Sequence, residues 1–197
     1  MEQIPVLVTE RVILRPFTSD DVYTFADTIF ANTEVMRTLP ENRLETTAQH
    51  LQFAREYLST FTEPWERFGW GGWAVTLKDD TLGKRDQLIG FCGFLRGKLS
   101  DVHPEIAYGI GQPWWRKRIT SEAARASVDW LFNNTFVTKI WGVTYKDNIG
   151  SQKVLQSVGM VYDGDINLYN SISEGRGLMP YFFMTSEMYK QQLAPCQ

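Results

Sequence analysis

Residues 108–125 read YGIGQPWWRKRITSEAAR, and this stretch decides the fold. Tyr108, Gly109 and Ile110 finish an apolar strand, and Gly111-Gln112-Pro113 breaks it. Arg116-Lys117-Arg118 and Ile119 follow, and Thr120-Ser121-Glu122-Ala123-Ala124-Arg125 is a helix-forming run. A helix N-terminus presents unpaired N–H groups and a partial positive charge, which together bind anions. Three cations there oppose the dipole unless an anion sits among them. The stretch therefore points to a phosphate-bearing ligand. A solvated basic turn before an ordinary helix is the alternative.

Outward from this stretch, strands are expected at 73–77, at 88–95 (nearly all apolar, hence central) and at 104–110, with a charged hairpin loop over 78–87. Upstream, 6–17 alternates like a half-buried strand that Pro16 ends. Thr18-Ser19-Asp20-Asp21 reads as a helix start, with a hydroxyl cap and acids in the first turn. Val22, Phe25, Ala26, Ile29 and Phe30 then form one helical face. A second helix is expected over 44–58, with Leu44, Ala48, Leu51 and Leu58 on one stripe, and 61–73 reads as a Trp- and Gly-rich loop. Its aromatics suit either a substrate wall or a core plug. Downstream, the helix runs to about Asn133, with Ala123, Ala126, Trp130 and Leu131 toward the sheet. A strand at 139–145, a short helix capped at Asp147-Asn148 and stopped by Gly159, and strands near 160–162 and 181–185 complete the chain. This order implies one α/β (α+β) domain over 1–197, a mixed sheet with helices on its faces.

The bulk properties exclude several classes. At 197 residues, 43% hydrophobic and 22% charged, the chain is globular. A net charge of −3 argues against a general nucleic-acid or anionic-membrane partner. No apolar run approaches the roughly 20 residues that span a bilayer. The N-terminus has no signal-peptide pattern, so a cytoplasmic location is expected. Cys92 and Cys196 are far apart without metal-type spacing, Cys92 reading as a buried small residue, and His50 and His103 add no metal motif. Gly109-Ile110-Gly111 lacks the third glycine of a dinucleotide site.

The run Thr9-Glu10-Arg11-Val12-Ile13-Leu14-Arg15-Pro16-Phe17 resembles the opening of the GNAT superfamily of acyl-coenzyme A-dependent N-acetyltransferases, most nearly the ribosomal-protein N-terminal (RimJ/RimL-type) branch. The resemblance continues through 73–75, 88–93, 105–108, 115–123 and Asn148-x-x-Ser151 to Gly159-Met160. It implies a mostly antiparallel sheet of about seven strands, splayed between the fourth and fifth. It also implies acetyl-CoA as co-substrate, with no metal. The pantetheine would bond to backbone near Gly109, Ile110 and Gly111. The pyrophosphate would rest on the turn from Arg116 to Ser121 (Arg116, Lys117, Arg118, Ile119, Thr120 and Ser121), and Asn148 and Ser151 would lie against the thiol. The family's turn carries glycine where Arg116 and Arg118 stand. If φ is positive at Arg118, its β-carbon costs roughly 1–2 kcal/mol. Either the guanidinium adds a bond to phosphate or the site is degraded.

Transfer to an amine needs a neutral amine, a polarised carbonyl, aligned reactants and a stabilised thiolate. Glu105 is the candidate base if its strand carries the family's bulge, with His103 the alternative. The resemblance implies that backbone N–H near Ile110 polarises the carbonyl. Ser151 is the candidate donor to the thiolate, because Leu155 occupies the position of a tyrosine that many relatives use. Tyr108 and Tyr145 are possible substitutes. The structural alternatives are a surface carboxylate for Glu105 and a first-turn helix residue for Ser151. The leading function is N-acetylation of a primary amine, of a protein N-terminus or a small molecule, by a monomer or homodimer. A catalytically silent acyl-CoA-binding module is the competing one.

Overall fold

The computed structural model describes residues 3–39, 46–169, 171–173 and 175–193. Among these, eight strands form one sheet in the order β1-β2-β3-β4-β5-β6-β8-β7. They are β1 (Leu7–Val8), β2 (Val12–Arg15), β3 (Gly72–Leu77), β4 (Leu88–Leu95), β5 (Glu105–Ile110), β6 (Lys139–Val143), β7 (Val161–Ile166) and β8 (Met179–Thr185). All pairings are antiparallel except β5 with β6. The expected first strand is a hairpin of two, because the Thr9 N–H donates to the Val12 carbonyl and the Val12 N–H to Thr9 Oγ1, which turns the chain. The expected fourth and fifth strands are thus β5 and β6, and the splay lies between them.

Helices cover both faces. On one, α1 (Asp21–Phe25) runs into a π-helical turn, Ala26–Phe30, and packs with α3 (Thr47–Phe68). Phe25, Phe30 and Phe61 meet Phe91 of β4 in the core there. The expected hydroxyl cap of α1 is absent: Asp21 instead accepts from the Thr18 N–H at 2.7 Å and pairs with Arg15. A short helix, α2 (Thr33–Met36), follows, capped by the Asn32 side chain.

The second helix differs most from expectation. It starts at a capping box, in which Thr46 accepts from the Gln49 N–H and Gln49 from the Thr46 N–H. It then runs straight through Pro64 to Phe68. The stretch read as a loop over 61–73 is therefore its last turns plus the start of β3. Tertiary packing overrides the proline: Phe61 and Pro64 are buried, and the Trp65 ring stacks edge-on against Trp73 and Trp130. Gly69 ends the helix at φ 70°. These aromatics plug the core and do not form a substrate wall. Leu44 and Cys196 lie outside the described residues.

On the other face lie α4 (Ile119–Asn134) and α5 (Ile149–Ser157). The buried face of α4 is Ala123, Ala124, Ser127, Val128 and Leu131, while Ala126 and Trp130 are only half-buried. Cys92 is buried against Ser127, and burial pushes its thiol up to about 12. The last two strands are longer than the periodicity suggests, and a C-terminal helix, α6 (Ser186–Leu193), follows them. It docks through Tyr189, stacked on Phe132.

Candidate active site

β5 and β6 run parallel and pair only at Glu105↔Trp141, after which they diverge. The Gly111 N–H donates to Ile89 of β4 at 2.9 Å. By the alternation of an antiparallel ladder, the N–H groups of Gly109 and Ala107 also face β4, and those of Tyr108 and Ile110 face the gap. A cleft of about 960 Å³ opens there. It passes through the sheet. Side chains of Ile106, Tyr108 and Ile110 pack on the α4/α5 side, and Ala107 on the α1/α3 side.

The basic turn closes one end. Arg116 and Arg118 hold φ of 62° and 60°, the left-handed region where the resemblance has glycine. No side chain caps α4, so the N–H groups of Ile119, Thr120 and Ser121 have no helical partner. Three tethers hold the turn. Trp115 Nε1 donates to the Ile110 carbonyl at 2.6 Å, Trp114 Nε1 to the Leu82 carbonyl at 3.1 Å, and Arg11 Nη1 to the Lys117 carbonyl at 2.8 Å. Arg11 and Thr9 in turn hold the Glu122 carboxylate. The expected residues Arg116, Arg118, Thr120 and Ser121 line the cleft, as do Gly109 and Ile110. Gly111, Lys117 and Ile119 stand off its wall: Gly111 is spent on β4, Lys117 is exposed, and the Ile119 side chain is in the core.

Across the gap, Asn148 caps α5 by accepting from the Ser151 N–H at 3.0 Å. The Tyr108 hydroxyl reaches over the cleft to the Ser151 carbonyl at 3.0 Å and its Oγ at 3.1 Å. Burial raises the Tyr108 hydroxyl well above the ordinary tyrosine value, with the Ser151 bond opposing. It therefore stays a neutral donor. Leu155 is core.

Glu105 is buried at the opposite end and lines the cleft. The expected bulge is absent, since the β4–β5 register is continuous from Gly90↔Ile110 to Leu95↔Glu105. Glu105 reaches the cleft because β6 departs beyond it. His103 does not line the cleft: its Nδ1 meets Ser100 Oγ at 3.3 Å. Sequence reasoning missed Tyr169, which donates to Glu105 Oε2 from the segment between β7 and β8. No local pattern announces it, since only the tertiary fold joins the two. Among the described residues no His, Cys, Asp and Glu group is placed to hold a metal. No helix among them is long and apolar enough to cross a membrane.

The sequence profile of the acetyltransferase (GNAT) domain matches residues 11–161. This chain belongs to the GNAT acetyltransferase family. It is 28% identical over 170 residues to the uncharacterized N-acetyltransferase YoaA of Bacillus subtilis, covering 84% of this chain and 88% of that one. A GNAT-family acetyltransferase from Bacillus anthracis superimposes with a TM-score of 0.73 at 20% identity, over 93% of this chain and 99% of its own. RimJ of Mycobacterium smegmatis, solved with CoA-disulfide, gives 0.73 at 16% identity, over 93% and 87%. These structural neighbours share the GNAT fold of this chain. The profile spans β5, α4, β6 and α5, between which the cleft opens, and starts at Arg11, which holds the basic turn; Tyr169 and Met179, which also line the cleft, lie beyond it.

Proposed function

We propose that this GNAT protein transfers the acetyl group of acetyl-CoA to a primary amine, of a protein N-terminus or a small molecule, by direct attack in a ternary complex. The observation that carries this reading is the parting of β5 and β6, which turns two backbone N–H groups into a cleft ending on uncapped N–H groups of α4. The pyrophosphate suits Ile119, Thr120 and Ser121 with Arg116 and Arg118 beside them. The pantetheine suits the β5 edge, with Asn148 and Ser151 toward the sulfur.

With Glu105 as the base, distance favours one of the two N–H groups as the carbonyl donor. A strand rises about 3.3 Å per residue, so Ile110 lies about 16 Å from Glu105 along β5 and Tyr108 about 10 Å. A carboxylate acting directly or through one water serves an amine near Tyr108, not one near Ile110. The Tyr108 N–H therefore polarises the thioester carbonyl, and the Ile110 N–H holds the pantetheine. The amine attacks from the Glu105 side of the sheet. The C–N bond forms, the C–S bond breaks, the amine proton goes to Glu105, and the CoA thiolate leaves stabilised by a hydrogen bond from Ser151 and takes its proton from solvent; the Tyr108 hydroxyl holds Ser151 in place.

The test is CoA release from acetyl-CoA with a peptide bearing a free α-amine, a polyamine and an aminoglycoside, the N-acetylated peptide serving as control. Ser151→Ala is expected to lower kcat by roughly a hundredfold with acetyl-CoA affinity kept; unchanged turnover removes Ser151 from the reaction. Glu105→Gln is expected to flatten the basic rise of the pH–rate curve. The two left-handed arginines favour one competing reading, an acyl-CoA-binding protein without turnover. Binding of acetyl-CoA with no CoA release from any amine would establish it.

A further inference from the structure

Tyr169 lies 64 residues from Glu105 in sequence, yet its hydroxyl donates to Glu105 Oε2. It holds φ at 54°, an uncommon conformation for a bulky residue. Such a conformation persists where the surroundings hold it. Leu168 before it is buried, and the Ser171 N–H bonds back to the Leu168 carbonyl at 3.1 Å. The Arg176 N–H closes the segment on the Ser171 carbonyl at 2.8 Å. The Lys98 ammonium sits over the Tyr169 ring, 4.9 Å from its centre. The carboxylate is walled on another side by the backbone of Gly97. A β-carbon there would fall 2.5 Å from Glu105 Oε2 and 2.0 Å from the Trp141 ring.

We propose that Tyr169 is a positioning residue that fixes the plane of the Glu105 carboxylate and favours its ionised form. The proposal rests on the reading of Glu105 as the base. A hydroxyl that donates to a carboxylate stabilises the charged form, whereas burial disfavours it. A buried base meant to take a proton near neutrality needs such a donor, and Tyr169 supplies one. Set between the buried Leu168 and the buried Ser171, the donor also restrains rotation of the carboxylate. The charged and titratable side chains that line the same cleft, among the described residues, are Arg37 after α2, Tyr57 on α3, Arg96 and Lys98 after β4, Tyr108 on β5, Arg116 and Arg118 in the basic turn, Tyr145 and Asp147 after β6, and Lys153 on α5. Lys98, set on the Tyr169 ring, adds a cation that favours the same ionised form.

The test follows the Glu side-chain carboxyl carbons of ¹³C-labelled protein by NMR across pH, which needs no acceptor. The signal missing from Glu105→Gln belongs to Glu105. In Tyr169→Phe its midpoint is expected to rise by about one pH unit, the worth of one lost donor to a carboxylate. The other Glu signals and the melting curve should stay in place. A Glu105 midpoint that coincides in wild type and Tyr169→Phe overturns the proposal. The base reading fails separately, if Glu105→Gln keeps the wild-type pH–rate curve for CoA release. A moved midpoint with that result keeps the Tyr169–Glu105 coupling and removes only the base role.

Discussion

Arg116 and Arg118 hold the left-handed backbone that glycine adopts freely, and each pays for a β-carbon there. The cost is about 1–2 kcal/mol for such a residue. Arg118→Gly relieves it but returns about 0.4–1 kcal/mol of freedom to the unfolded chain. The expected net gain of about 1 kcal/mol raises Tm by about 2–4 °C. Acetyl-CoA affinity is expected to stay within about tenfold, because the proposed binding mode rests the pyrophosphate on the N–H groups of α4 and not on the Arg118 side chain. A larger loss would make the Arg118 guanidinium a principal ligand. The arginines were legible in sequence as a departure from the family's pattern, as were Glu105 and Ser151 as polar residues at its positions. Tyr169 was not, because it meets Glu105 only through the fold.

At the scale of elements, the β1–β2 hairpin is tied to the start of α4. Glu122 accepts from Thr9 Oγ1 at 2.6 Å, from the Arg11 N–H at 2.8 Å and from Arg11 Nε at 2.7 Å. Burial pushes its carboxyl upward, but these donors together hold it below the ordinary value of 4.5. A carboxyl depressed in the folded state adds stability that is present above its unfolded value and lost as pH falls through the folded one. Glu122→Gln is expected to cost about 1–2 kcal/mol at neutral pH. Its Tm should also fall less steeply than that of wild type on acidification below pH 4.5. Parallel acid slopes would show that the tether carries no linked proton. The Thr9 to Arg15 run thus has a physical role: it anchors the basic turn through Lys117 and Glu122. Strands β3, β4 and β5 and helices α4 and α5 were legible from period and turn residues, since their local patterns agree with their packing. Helix α3 was not, because Pro64 and the Trp-rich end suggest a loop, and tertiary packing, through buried Phe61 and Pro64 and the Trp65–Trp73–Trp130 cluster, keeps them helical.

At the scale of the molecule, the cleft crosses the sheet, so the acyl donor and the amine are expected to enter from opposite faces. Acetyl-CoA at about 100 times its Kd should stabilise the protein by about 2.7 kcal/mol. For a chain of this size that raises Tm by about 5–11 °C. No shift at millimolar acetyl-CoA would show that the arginine turn has closed the site. The sequence by itself determined the class of fold, the order of most elements and the basic turn before α4, because those follow from local periodicity, turn chemistry and charge. Only the tertiary structure decided that Glu105 meets Tyr169, that Tyr108 spans the gap to Ser151, and which N–H groups of β5 face the cleft. These depend on where strands diverge and how distant segments pack, which no local pattern encodes.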